Sequence, residues 1–288
     1  MIRIGIVDPD TSHARAFAQY LSAREDVLLT SVVNYSGVRS SSWIGEFASE
    51  YSLHICNSLS DLSEEVGAAL VLSVDWEKHL GSAKVLLERD IKILIDKPVC
   101  GSLLDVEAFD VLAIQHPAQL FGGSALLHLD EVKRIGEVLV QGGILQLTIY
   151  GPRDSYFMGV HSTELLTRLI QPKESTIVES KNGVVRVAES GMTADLVHAE
   201  NWSIAFQYAD ELQEWMLPTN NIYDNYLSAF IAFASEKEPL GIRDSLNAVM
   251  IELAAKRSEQ LSRPVRFSEL DKSDKIDSKL FLSSYKPQ

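Results

Sequence analysis

Glycine is missing where a nucleotide-binding turn most needs it. The stretch "IRIGIVDPDTSHARAF" (2–17) opens as a dinucleotide-binding domain does, with an apolar strand, a tight turn and a helix. Yet Asp8, Asp10 and His13 hold the three places where the G-x-G-x-x-G pattern puts glycine, and only Gly5, inside the strand, remains. Other shortages narrow the chain's class. Cys56 and Cys100 are the only cysteines, too few for a disulfide framework or a thiolate zinc site, which points to a reducing cytoplasm. Lys and Arg total 26 against 40 acidic residues, and a net charge of −14 excludes wrapping a nucleic acid. No apolar run approaches the roughly 18 residues of a membrane span. No charged-then-apolar leader precedes the first strand, so a soluble chain is expected. His, Asp and Glu are scattered without metal-ligand spacing, so no metal is expected.

What is present is a core-forming chain of 288 residues, 46% of them hydrophobic. Up to residue 122, continuous apolar runs at 2–7, 27–33, 69–74, 91–95 and 118–123 alternate with helical patterns such as "HARAFAQYLSAR" (13–24) and "SSWIGEFASEY" (41–51). That rhythm predicts an α/β, Rossmann-like doubly wound parallel sheet, whose ligand crevice lies at the carboxyl ends of the strands. From 123 to 288 the pattern changes: a helix at 129–141, a strand at 144–150, a helix at 161–170, strands from 176 to 208, and helices at about 220–236 and 242–261. This predicts a C-terminal α+β domain on a large, mostly antiparallel sheet. The tail from about Ser268 is polar and is expected to wrap or fray.

The turn admits two readings. Asp10 or Thr11 caps the first helix, with acid near its positive end; Thr11, Ser12 and His13 also offer groups to the crevice, as an altered phosphate site. Two carboxylates beside a pyrophosphate oppose ordinary dinucleotide binding. Where the second strand usually ends on an acid for the adenosine ribose, this chain has Asn34, with Arg39 nearby, which tilts any cofactor from NAD toward NADP. Ser73, Asp96 and Pro98 join Asp10, Thr11, Ser12, His13, Asn34 and Arg39 as candidate cofactor contacts. In "ILIDKPVC" (93–100), Lys97 stands at the carboxyl end of a buried strand, pinned by Pro98 with Asp96 beside it. His79 is expected to tie a loop to the crevice.

Together with "HLGSAKVLLERDIKILIDKP" from His79, this stretch resembles the Glu-Lys-Pro region of the glucose-fructose oxidoreductase, inositol dehydrogenase and rhizopine-catabolism (Gfo/Idh/MocA) family, with Asp96 in place of Glu. "YFMGVHSTELL" (156–166) resembles the family segment that carries a catalytic histidine on a helix, and 226–265 resembles its closing helices. The resemblance spans nearly the whole chain. It implies hydride transfer between a nicotinamide and an oxygen-bearing carbon of a sugar, cyclitol or related small molecule. Lys97 would polarise the reacting oxygen and His161 would act as general acid/base. The family's usual Asp four residues before that histidine is Phe157 here. Tyr156, His128, Arg153 and Glu164 are candidate substrate contacts. A homodimer or homotetramer is also implied, covering the open sheet. The altered turn keeps two alternatives open: a binding or regulatory subunit without redox cofactor, and a lyase or isomerase using Lys97 and His161.

Overall fold

The structure is a computed structural model that describes residues 1–140, 146–208, 211–236 and 241–287. Gln141, Ile144 and Leu145, placed by the sequence at the ends of a helix and a strand, lie outside them. The first sheet is built from β1 (Ile2–Val7), β2 (Val27–Val33), β3 (His54–Ile55), β4 (Ala68–Val71), β5 (Lys92–Ile95) and β6 (Leu120–Gly122). Its order is β3-β2-β1-β4-β5-β6 and every pairing is parallel. Helices α1 (His13–Ser22), α2 (Ser41–Tyr51), α3 (Leu59–Glu65), α4 (His79–Leu87) and α5 (Leu103–Gln115) connect the strands. The apolar runs are continuous because both sheet faces are covered: β4 is buried throughout. The chain direction reverses its winding between β1 and β4, which opens the crevice at their carboxyl ends.

The second half comprises α6 (Asp130–Val140), β7 (Gln146–Gly151), α7 (Tyr156–Ile170), β8 (Ile177–Lys181), β9 (Val184–Glu189), β10 (Met192–His198), β11 (Ser203–Tyr208), β12 (Glu211–Met216), α8 (Ile222–Ala234), α9 (Arg243–Leu261), β13 (Val265–Arg266) and α10 (Ser278–Ser284). Its sheet runs β12-β11-β7-β10-β9-β8-β13 and is antiparallel except between β7 and β10. The expected fold class is the observed one. Several elements depart from the periodicity. The two-residue β3, the short α3 and strand β12 carry too little pattern to register. β4 ends at Val71, which frees Ser73 and Val74 to turn into the crevice. Helix α7 begins five residues earlier than its apolar spacing suggests, because the Ser155 side chain accepts the Met158 N–H.

Two late helices return to the first sheet. Tyr226, Leu227 and Phe230 of α8 pack with Ile4, Ile6 and Phe17, whereas Leu246, Val249 and Leu253 of α9 pack with Val71, Ile93 and Phe109. The polar tail also folds back. Arg257 pairs with Asp271 and Asp274 at 2.8 and 2.6 Å, Trp76 Nε1 donates to the Ile276 carbonyl at 3.0 Å, and Phe281 of α10 stacks on Phe157 at 4.9 Å. Among the described residues no helix is long and apolar enough to cross a membrane.

Candidate active site

The turn after β1 is closed by its own side chains. Asp8 adopts φ 53°, a left-handed conformation that a glycine takes without strain, and is fully buried. Its Oδ1 accepts the N–H groups of Tyr35 and Ser36 at 2.5 and 2.6 Å, and its Oδ2 accepts the Ser73 hydroxyl at 2.5 Å. Asp10, also fully buried, accepts the Ser36 hydroxyl at 2.7 Å and the Val74 N–H at 3.1 Å. Burial first, and then the Asp8 charge, push the Asp10 carboxyl up to about 6. The two carboxylates thus stitch the end of β1 to the loops after β2 and β4.

Further groups cross the same end of the crevice. Arg39 donates from Nε to the Pro9 carbonyl at 3.3 Å, and its guanidinium lies 4.2 Å from the centre of the Trp43 ring. Asn34 holds the Arg39 carbonyl at 3.0 Å. The Tyr285 hydroxyl donates to the Asp10 carbonyl at 3.2 Å. Thr11 Oγ1 accepts the His13 N–H at 3.2 Å just ahead of α1, whose N-cap is Ser12 and not the expected Asp10 or Thr11. His79 bridges the Ser73 and Val99 carbonyls at 2.8 and 3.0 Å.

This end does not fit a dinucleotide as arranged. A pyrophosphate is held by free amides and a helix N-terminus, but here the amides of Tyr35, Ser36 and Val74 are taken by carboxylates. The charge they present has the wrong sign, and the space is crossed by Arg39 and Tyr285.

The other end is open. A cavity of about 410 Å³ is lined by Thr11, Ser12 and His13 at the start of α1, Asp96 and Lys97 after β5, Phe157, Met158 and His161 from α7, together with Trp202, Tyr223, Tyr226 and Tyr285. Lys97 is 3% exposed and donates from Nζ to the Phe157 carbonyl at 3.1 Å, its ammonium 3.4 Å from the centre of the Phe157 ring. Burial lowers its pKa to about 8, with Asp96 and Glu164 opposing. Lys97 therefore remains mostly charged at neutral pH. Burial works against the Asp96 carboxylate too, which His13 and Lys97 nevertheless hold below the usual range. The Lys97–Pro98 peptide bond is cis.

His161 Nδ1 pairs with the Ser124 hydroxyl at 2.6 Å, and its ring meets Trp202 edge-on at 5.4 Å. Burial, followed by Lys97 and His13, pushes its pKa well below the ordinary value, so the imidazole is neutral. Glu164 lies behind it, fully buried, accepting the Ser124 N–H at 2.5 Å; burial raises its pKa to about 8. Gly123, at φ 107°, makes this approach possible, since a side chain there would run into Glu164 and Ser245.

The remaining sequence candidates lie elsewhere. The Tyr156 hydroxyl donates to the Cys100 carbonyl at 2.5 Å. Arg153 pairs with Glu252 at 2.8 Å and bonds Thr163 at 3.0 Å, bracing α7 against α9. His128 packs on Phe121 and Tyr226, and burial lowers its pKa to about 4. Conversely, Ser124, Tyr223 and Tyr285 reach the site without any motif to announce them. Among the described residues one group of metal-type donors gathers, His54, Cys56 and Glu65 beside β3. Its Glu65 is already bonded to His54 and Ser31, and burial pushes the Cys56 thiol up, away from the thiolate a metal needs.

No family model matches the chain, and no curated protein sequence matches it. Solved structures do. The scyllo-inositol dehydrogenase from Lactobacillus casei, with bound NAD(H) and scyllo-inositol, matches with a TM-score of 0.77 at 14% identity over 93% of this chain and 100% of that one. The myo-inositol 2-dehydrogenase from Lactobacillus plantarum matches with a TM-score of 0.75 at 12% identity, over 92% of this chain and 99% of that one. GenD2 from gentamicin A biosynthesis, in complex with NAD, gives 0.75 at 14% identity, over 92% and 96%. Matches of this extent over nearly the whole of both chains show a shared fold, and the chain has the fold of the glucose-fructose oxidoreductase, inositol dehydrogenase and rhizopine-catabolism family.

Proposed function

We propose that the chain is an enzyme acting at a hydroxyl- or carbonyl-bearing carbon of a small polyhydroxy molecule, an oxidoreductase of the inositol-dehydrogenase type with Lys97 and His161 at the reaction centre. The observation that carries this reading is the convergence of a buried Lys97 and a half-buried His161 in one cavity. A substrate oxygen beside Lys97 would be held and polarised by the ammonium, and a proton leaving it would pass to His161, whose Nδ1 is fixed by Ser124. The fold's likeness to dehydrogenases solved with NAD(H) supports the redox class. This reading requires Arg39 and Tyr285 to withdraw from the crevice for a dinucleotide to enter.

The filled turn favours a second reading, proton transfer without redox, as in a lyase or isomerase. One experiment separates them: titration of the protein with NADH and NADPH by nicotinamide fluorescence, with AMP as competitor. Saturable, AMP-sensitive binding followed by turnover of cyclitols upholds the oxidoreductase. Absence of binding up to millimolar concentration transfers the site to the second reading.

A further inference from the structure

We propose that His13 and Asp96 form a second proton-transfer centre in the Lys97–His161 cavity, in which His13 takes the carbon-bound proton next to a carbonyl oxygen held by Lys97, so that the site enolises a small polyhydroxy ketone. The proposal rests on the reading of this cavity as the active site, but not on nicotinamide.

The third glycine position of the turn carries an imidazole, and that imidazole is held by a buried carboxylate. Asp96 spends Oδ1 on the Lys97 N–H at 2.8 Å, which leaves Oδ2 facing His13 Nδ1 at 2.6 Å. An ionised carboxylate only accepts, so Nδ1 carries a proton, and it is in the neutral form of the ring that Nε2 offers its lone pair as the base. The ring is fixed by stacking on Phe17 at 5.1 Å and by the edge of Tyr223 at 5.1 Å. Asp96 is 2% exposed, whereas His13 lines the cavity together with Lys97 and His161. A buried carboxylate behind an imidazole fixes its tautomer and stabilises the imidazolium that forms on proton uptake. Oxidation of a hydroxyl needs one base, and His161 supplies it; a second imidazole with its own carboxylate has no task in that step. It has one beside a ketone. The proton leaves carbon for His13 Nε2, the C–H electron pair forms the enolate double bond, and the oxygen's new charge is met by the Lys97 ammonium. The reverse step returns a proton to carbon, so no oxidant or reductant is consumed.

The test is hydrogen exchange on scyllo-inosose, a cyclitol ketone, in heavy water with no dinucleotide, followed by proton NMR. The wild-type protein is expected to accelerate loss of the protons flanking the carbonyl, and His13→Gln to slow that by about 10²-fold or more. Asp96→Asn should slow it less and move the pH–rate profile of exchange, a signature that a merely structural role would leave unchanged. His13→Asn serves if the Gln variant fails to fold, as judged by circular dichroism. No exchange by the wild type, exchange that survives loss of His13, or a His13 ring protonated at Nε2 would each overturn the proposal. Cyclitol oxidation that persists without ketone exchange would remove the dyad and leave the oxidoreductase reading standing; exchange without NADH binding would do the reverse.

Discussion

The crevice has two ends that share strands and differ in chemistry. At the β2 side, Asp8 and Asp10 turn inward and take up the amides of Tyr35, Ser36 and Val74 and the hydroxyls of Ser36 and Ser73. At the β5 side, Lys97, His13 and His161 line one cavity. The same topological switch point supplies both. The difference teaches that a fold places a crevice, while a few side chains decide whether it holds a ligand or is stitched shut.

The strongest way to break this contrast is at the open end. Lys97→Met should cost about 10²-fold or more in turnover while the fold persists, because the ammonium polarises the reacting oxygen and its burial opposes its charge. Unchanged turnover would strike Lys97 from the centre.

The closed end is probed by Asp10→Asn. The carboxyl's folded value of about 6 lies above its ordinary 3.8, so its proton-linked stabilisation is complete below 3.8 and lost as pH rises through 6. Above that, a buried charge costs about 3 kcal/mol. An amide can still accept from Val74 and donate to Ser36, so urea unfolding at pH 7.5 should show the variant more stable by about that amount, with little gain near pH 4. Equal gains at both pH values would mean that ionisation is not the cause.

The pH profile sharpens the comparison further. Lys97 must be protonated to hold an oxygen, and with its pKa near 8 the value of kcat/KM should fall about tenfold per unit above pH 8. His161, kept neutral by burial, should leave the profile flat through neutrality. A rise across pH 8–9 would assign Lys97 the role of a base.

The smallest expected change is at the tail. Tyr285→Phe removes one hydroxyl bond to the Asp10 carbonyl and should raise NADH affinity only a few-fold, about the 1 kcal/mol of a single hydrogen bond, if that bond helps to hold the crevice shut. Weaker binding in that variant would make Tyr285 a contact and not a bar.

Much of this was legible in the chain. Continuous apolar runs bounded by helical spacing specify buried parallel strands, and the strand before Asp96 places Lys97 at a carboxyl end by local pattern alone. His79 as a loop tie follows from short-range geometry and is seen, whereas the N-cap of the first helix falls on Ser12 and not on Asp10 or Thr11. Tyr156, Arg153 and His128 stand close in sequence to site segments, yet their side chains turn to Cys100, Glu252 and Phe121, because one helical step or strand alternation redirects a residue without changing its neighbourhood in the chain.

The sequence by itself determined the alternation of the longer strands and helices, the loss of glycine from the turn and the position of the lysine, since each follows from periodicity or from residues a few places apart. Only the tertiary structure decided that Asp8 and Asp10 close one end, that His13 meets Asp96 across 83 residues, and that a polar tail returns to bond Asp10 across 275. The physical reason is that a parallel sheet brings the ends of distant strands into one crevice. Whether a carboxylate there repels a ligand or fastens a loop depends on which amides and hydroxyls arrive beside it.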